Sequence, residues 1–117
     1  MNRLIELIFQ NFTVDGESIP VIYMHYMGHG EPYVIYMDVY ADNVLRADDK
    51  LIGYADYYDF DVYAKGNFTN IIEQVRTLLE EHGFVWRPER SSRDMYEPDT
   101  GYYHKTLNFS FIREESE

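Results

Sequence analysis

The stretch from residue 52 to 64 restricts the fold more than any other. There Tyr58, Phe60 and Val62 alternate with Asp59, Asp61 and Tyr63. Side chains of a strand project to opposite faces with a period of two. The stretch therefore predicts a long strand with one core face and one acidic, aromatic face. Its register is strongly specified, because a slip of one residue would carry the aspartates into the core.

Two more runs, residues 20–27 and 33–40, are rich in β-branched and aromatic residues. Gly28-His29-Gly30-Glu31-Pro32 separates them, which predicts an antiparallel hairpin with a five-residue loop. Apolar residues fill both alternating sets of positions. Such strands are central in a sheet or covered on their outer face by a partner. Residues 41–51 read as a polar connector. Residues 84–87 start another strand, and 88–101 form a long polar loop with room for a short strand near Met95-Tyr96. A final strand over about 102–112 alternates Tyr103, Lys105, Leu107, Phe109 and Phe111 against His104, Thr106, Asn108 and Ser110. The acidic tail, Arg113 to Glu117, is expected to be flexible.

Two segments have the helical period. In residues 2–12, Leu4, Ile5, Leu7, Ile8, Phe9 and Phe12 form one apolar stripe, and Asp15-Gly16 marks a turn after it. In the second, Asn67 stands as N-cap, Phe68, Ile71, Ile72, Val75, Leu78 and Leu79 form the stripe, and Gly83 takes the C′ position. The order α-β-β-β-α-β-(β)-β predicts one α+β domain over residues 1–117. Its sheet is largely antiparallel, or mixed, with about four to six strands and two helices packed on one face.

Ten Lys/Arg against twenty-one Asp/Glu leave a net charge of −11. Non-specific nucleic-acid binding draws on Lys and Arg displacing counterions from phosphates, so this chain repels DNA. Anionic membranes are disfavoured for the same reason, and no segment approaches the ~20 apolar residues that span a bilayer. There are no cysteines, which excludes disulfides, thiolate metal sites and a cysteine nucleophile. No secretion signal is expected, because Glu6 interrupts the first apolar run and no small-residue cleavage site follows. The glycosylation patterns at Asn11, Asn67 and Asn108 are accordingly read as chance. Twelve tyrosines are several times ordinary usage. Tyr suits both strands and protein interfaces.

The search for chemistry assigns no catalytic residue, no metal ligand and no cofactor. His25 and His29 have the spacing of a helical metal pair, but one falls in a strand and the other in a Gly-rich turn. Asp59 and Asp61 share a strand face and could hold a divalent ion or act as an acid–base couple; solvated neighbouring acids are far commoner. Asp48-Asp49 lacks the Gly and terminal Glu of a calcium loop, and no helix follows Gly28-His29-Gly30 to make a phosphate site. Asp48, Asp49 and Lys50 are instead candidates for a connector loop. Arg87, Arg90 and Arg93, with Tyr96, are candidates for an inter-subunit or partner loop. They could meet an acidic face of a neighbouring copy, such as that of Asp59 and Asp61, in a head-to-tail contact.

Four segments taken together carry a resemblance. They are Pro32-Tyr33-Val34-Ile35-Tyr36, Ala47-Asp48-Asp49-Lys50, Asp61-Val62-Tyr63-Ala64-Lys65 ahead of a helix ending at Gly83-Phe84, and Asp99-Thr100-Gly101-Tyr102-Tyr103-His104-Lys105 before the closing strand. In this order, over about residues 1–112, the chain resembles the small tail-completion (tail-terminator) proteins of long-tailed bacteriophages and prophages. It departs from them at Gly66-Asn67, where the family often has a more charged stretch. The resemblance implies a ring, commonly of six copies, on the head-proximal end of the tail tube. Such a ring stops tube growth and offers a docking surface for the head. The implied partners are other copies, the tail-tube protein and head–tail connector proteins. DNA passes through without specific binding, and no membrane is involved. The implied location is the virion tail, after synthesis in the host cytoplasm. An acidic lumen would repel phosphates, so Asp56, Asp59 or Asp61 is expected at the lumen or a subunit boundary. Self-repulsion would favour a monomer at low salt and permit the ring as screening rises. A different head–tail connector or neck subunit, and a small metal- or ligand-binding domain, are the alternatives.

Overall fold

The computed structural model describes residues 2–25, 28, 32–47 and 50–114, with the backbone alone at 40, 42–47, 50–52 and 114. In chain order the elements are α1 (Asn2–Ile8), β1 (Thr13–Val14), β2 (Glu17–Ser18), β3 (Val21–Tyr23), β4 (Tyr33–Ala47) and β5 (Lys50–Ala64). Then come α2 (Phe68–Glu81), β6 (Val85–Trp86), a 3-10 turn (Pro88–Arg90), β7 (Met95–Glu97) and β8 (Tyr102–Glu114). A six-stranded sheet runs in the order β3-β4-β5-β8-β6, and β7 also pairs with β8. Every pairing in it is antiparallel except β3 on β4. The expected α+β architecture is present, with both helices on one face. No helix among the described residues is long and apolar enough to cross a membrane.

The alternation in β5 sets the core. Phe60 pairs with Tyr36 of β4 and Leu107 of β8, and Val62 pairs with Val34. All five are essentially inaccessible to solvent. Phe9, just past α1, brings its ring 6.0 Å from that of Phe60, and Phe109 meets Phe60 edge-on at 5.7 Å. From α2, Ile71, Val75 and Leu79 complete the core as a single stripe at helical spacing. That helix stops at Gly83, which has φ 90°. Its N–H bonds the Glu80 carbonyl at 3.2 Å, and the Phe84 N–H bonds the Leu79 carbonyl at 3.0 Å. This is the Schellman arrangement, and it drops Phe84 onto the core.

Several elements differ from the sequence reading. The helix expected over 2–12 ends at Ile8. Asn11 sits in the left-handed region at φ 56°, which turns the chain while Phe9 and Phe12 stay buried. Asn67 stands at the N-cap of α2 but makes no capping bond; its amide donates to Glu17 at 3.0 Å. The expected antiparallel hairpin does not form. Instead β3 is short and parallel to β4, with Val21 opposite Val34. The chain turns away at Met24, φ 63°, whose N–H bonds the Tyr36 carbonyl at 2.8 Å.

Of the polar stretch 41–51, expected to be a connector, residues 41–47 and 50–51 are extended. They belong to strands, because β4 and β5 are each fifteen residues long and pair with each other as far as Ala47 and Lys50. Glu114 of β8 stands opposite Gly53, and beyond it the described arm is β4 against β5 alone. Its Asp, Asn, Arg and Lys residues give it the composition of a loop although its backbone is extended. The candidate connector residues Asp48 and Asp49 lie outside the described residues, as does the side chain of Lys50, whose backbone begins β5. Arg113 and Glu114, assigned to a flexible tail, continue β8; residues 115–117 lie outside the described residues.

Phe60→Ala is expected to destabilise the protein by about 3–5 kcal/mol, since it empties the centre of the core. Urea denaturation followed by circular dichroism measures this; a loss below about 1 kcal/mol would contradict the packing described.

Candidate interaction surface on the open sheet face

No helix among the described residues packs on the second face of β5. Register builds this open face in cross-strand rows. The first row is Tyr33, Tyr63 and His104. Tyr33 stacks on Tyr63 at 4.8 Å, and Tyr63 on His104 at 4.1 Å. Tyr102 stands edge-on to both Tyr33 and Tyr63, and the Lys65 ammonium lies 5.5 Å from the Tyr102 ring centre. The second row is Ile35, Asp61 and Thr106, in which Thr106 Oγ1 donates to Asp61 at 2.6 Å. The third is Met37, Asp59 and Asn108, in which the Asn108 amide donates to Asp59 at 2.7 Å. Tyr57 and Ser110 follow.

The segment between β6 and β7 closes one end of this face. It behaves as an edge strand interrupted by a turn. Pro88 starts the 3-10 turn, where its fixed φ and missing N–H cost nothing. Ser91 Oγ then accepts the Asn108 N–H at 2.9 Å and donates to the Arg87 carbonyl at 2.8 Å. Ser92 Oγ accepts the Thr106 N–H at 2.9 Å, and the Ser92 N–H bonds the Thr106 carbonyl. These bonds hold the segment against β8. Asn108 and Ser110 are buried here; the Asn108 amide N–H goes to Asp59 and the Ser110 hydroxyl oxygen accepts from Arg87, while Asn108 Oδ1 has no partner among the described residues.

Of the arginines expected to meet the acids of another copy, two contact their own chain on the open face, and the charge of Arg90 acts on Asp59. Arg87 donates to Ser110 Oγ at 2.9 Å, and the Arg90 guanidinium lies 4.5 Å over the Tyr57 ring. Arg93 is exposed. Tyr96 is also exposed, and its ring lies 5.0 Å from that of Tyr103. The three candidate aspartates divide. Asp59 and Asp61 share the open face. Asp56 is on the helix-bearing face, where Arg113 of β8 bonds it at 3.1 Å. His25 is exposed and lies beyond β3, while His29 is outside the described residues.

Burial pushes the Asp59 carboxyl above its usual range, and the nearby Asp61 charge adds to this; the bond from Asn108 and the Arg90 charge oppose it. Burial, then Asp61, pushes the Tyr63 phenol up to about 12. Among the described residues no group of three His, Asp or Glu could hold a metal. A concavity of about 380 Å³ at the start of α2 is lined by Lys65, Asn67, Phe68, Asp94 and Tyr103. Its one carboxylate is bonded to Lys105 at 3.0 Å. What the open face offers chemically is flat aromatic area and carboxylates already bonded within the chain, which suits contact with a macromolecule. Sequence reasoning missed the cluster of Tyr33, Tyr63, Tyr102 and His104. The signal for it was the tyrosine excess, but finding it required the strand register. Comparison with protein-family models and with curated proteins finds no match.

The raised pKa of Asp59 means that the folded state holds its proton more tightly than the unfolded state. Its contribution to stability is present below the ordinary carboxylate pKa and is lost as pH rises through the folded value. Asp59→Asn keeps an acceptor for Asn108 and removes that loss. The variant is expected to have a higher urea midpoint than wild type at neutral pH, with the gap closing on acidification. A gap that does not vary with pH would refute this assignment.

Proposed function

We propose that this chain is a structural assembly protein that caps the head-proximal end of a phage tail tube as a ring, stopping tube growth and allowing the head to join. The observation that carries this reading is the long β4–β5 arm. Beyond Tyr36 the outer edge of β4 pairs with no strand among the described residues. A bare strand edge is a liability unless something covers it. An extended arm beside an open aromatic face is better matched to neighbours than to a small substrate. The four sequence segments that resemble tail-completion proteins supply the kind of neighbour.

The charge fits a conduit. At −11 per copy, a ring would repel the duplex along its lumen. Asp59 and Asp61 are the better candidates for a lumen or subunit boundary, because they lie on the open face. Asp56, bonded to Arg113 on the helix-bearing face, is the weaker one.

Tail tubes polymerised with and without the protein, and imaged by negative-stain microscopy, test the reading. Tubes are expected to stop at shorter lengths, with extra density at one end. Unchanged lengths would remove the capping role. Cross-links to a portal or adaptor in place of the tube protein would point to a neck subunit.

A further inference from the structure

The outer edge of β8 is covered by its own chain in three pieces. β6 pairs with it at Ser110 and Phe109, and β7 pairs with it from His104 to Tyr102. Between the two, the chain leaves the strand path for the 3-10 turn Pro88–Arg90. Thr106 and Asn108 of β8 nevertheless keep partners for all four of their backbone groups. The Asn108 carbonyl accepts the Arg87 N–H at 2.8 Å, and the Asn108 N–H donates to Ser91 Oγ at 2.9 Å. The Thr106 carbonyl accepts the Ser92 N–H, and the Thr106 N–H donates to Ser92 Oγ, both at 2.9 Å. Two serine hydroxyls stand where a neighbouring strand would place carbonyls.

This substitution has a consequence on the far side. The outer edge of a strand normally presents a row of N–H and C=O groups with which another chain can pair. Here the row is broken. A serine hydroxyl carries no strand beyond it, and Pro88 has no N–H. β6 and β7 offer only two and three residues, against about five or six in an ordinary strand.

The edge has need of such a break. Val85, Met95 and Tyr96 are exposed along it. Arg87, Arg90 and Arg93 are matched there by Glu89, Asp94 and Glu97, three charges of each sign. The net charge of −11, which keeps copies apart on most approaches, is therefore cancelled locally. Apolar surface beside strand backbone, without charge repulsion, invites pairing between chains.

We propose that residues 87–92 form an autoinhibitory strap, which occupies the outer edge of β8 and interrupts the strand outside it, so that the sheet does not continue into another copy on this side. The Ser91 and Ser92 hydroxyls fasten the strap. Its role is independent of the ring reading, because it concerns one edge of a single copy.

Ser91→Ala with Ser92→Ala removes both fasteners, and circular dichroism checks that the variant folds. Amide exchange at Thr106 and Asn108, followed by NMR, is expected to quicken about tenfold over wild type. Sedimentation is expected to show a mass that rises with concentration beyond that of wild type. Ile71→Val, a core change that leaves the strap intact, controls for lost stability and is expected to sediment as wild type does. Faster exchange with wild-type sedimentation would overturn the autoinhibitory role. So would unchanged exchange at the two amides, or equal association by the Ile71 variant. If the double variant does not fold, Ser92→Ala alone, which leaves both Ser91 bonds in place, is read by the same outcomes.

Discussion

The pairing of β5 with strands on both sides is the constraint on which the rest depends. Between Gly53 and Ala64 it bonds β8, and along its whole length it bonds β4. Its alternation therefore imposes alternation on three strands at once. Tyr36, Phe60 and Leu107 fall together under the helices, while Met37, Asp59 and Asn108 fall together on the other side. A slip of one residue in β5 would reverse both sets. The cost would be aspartates in the core and phenylalanines in water, so a single register dominates.

The same arrangement governs the electrostatics. Asp59 and Asp61 are half-buried by their neighbours on the sheet, yet each accepts a bond from the opposing residue of β8. Thr106 and Asn108 thus make the acidic face tolerable, and burial is felt chiefly as a raised pKa on Asp59. Arg87 and Arg90 approach from the folded-over edge. The Arg90 charge offsets part of the Asp59 shift within one chain, and the aromatic rows and the open edge of β4 are the other candidate surfaces for a partner. The strong negative charge then limits which approaches between copies are favourable.

Much of the fold was legible in the residues. The stripe of α2, the stop at Gly83, the alternation of β5 and β8 and the short strand at Met95-Tyr96 all follow from local rules. What was not legible shares a cause. The parallel β3–β4 pair reads like an antiparallel hairpin, because two neighbouring β-rich runs look alike whichever way they pair. The arm reads like a connector, because its Asp, Asn, Arg and Lys residues break the alternation that marks a half-buried strand. The early end of α1 depends on one asparagine in a left-handed conformation, which periodicity does not register.

The sequence by itself determined the class of fold, the two faces of the central strand and the large negative charge, because periodicity and composition act locally and additively. Only the tertiary structure decided which residues share a surface. Alternation alone puts Asp56 on the face opposite Asp59 and Asp61, but the structure supplied its partner, Arg113. The structure also brought Tyr33, Tyr63, Tyr102 and His104 together from three strands, and it folded Arg87 onto Ser110 and Arg90 onto Tyr57. These juxtapositions come from register and edge order. Both are set by pairing between segments distant in sequence, so no local pattern encodes them.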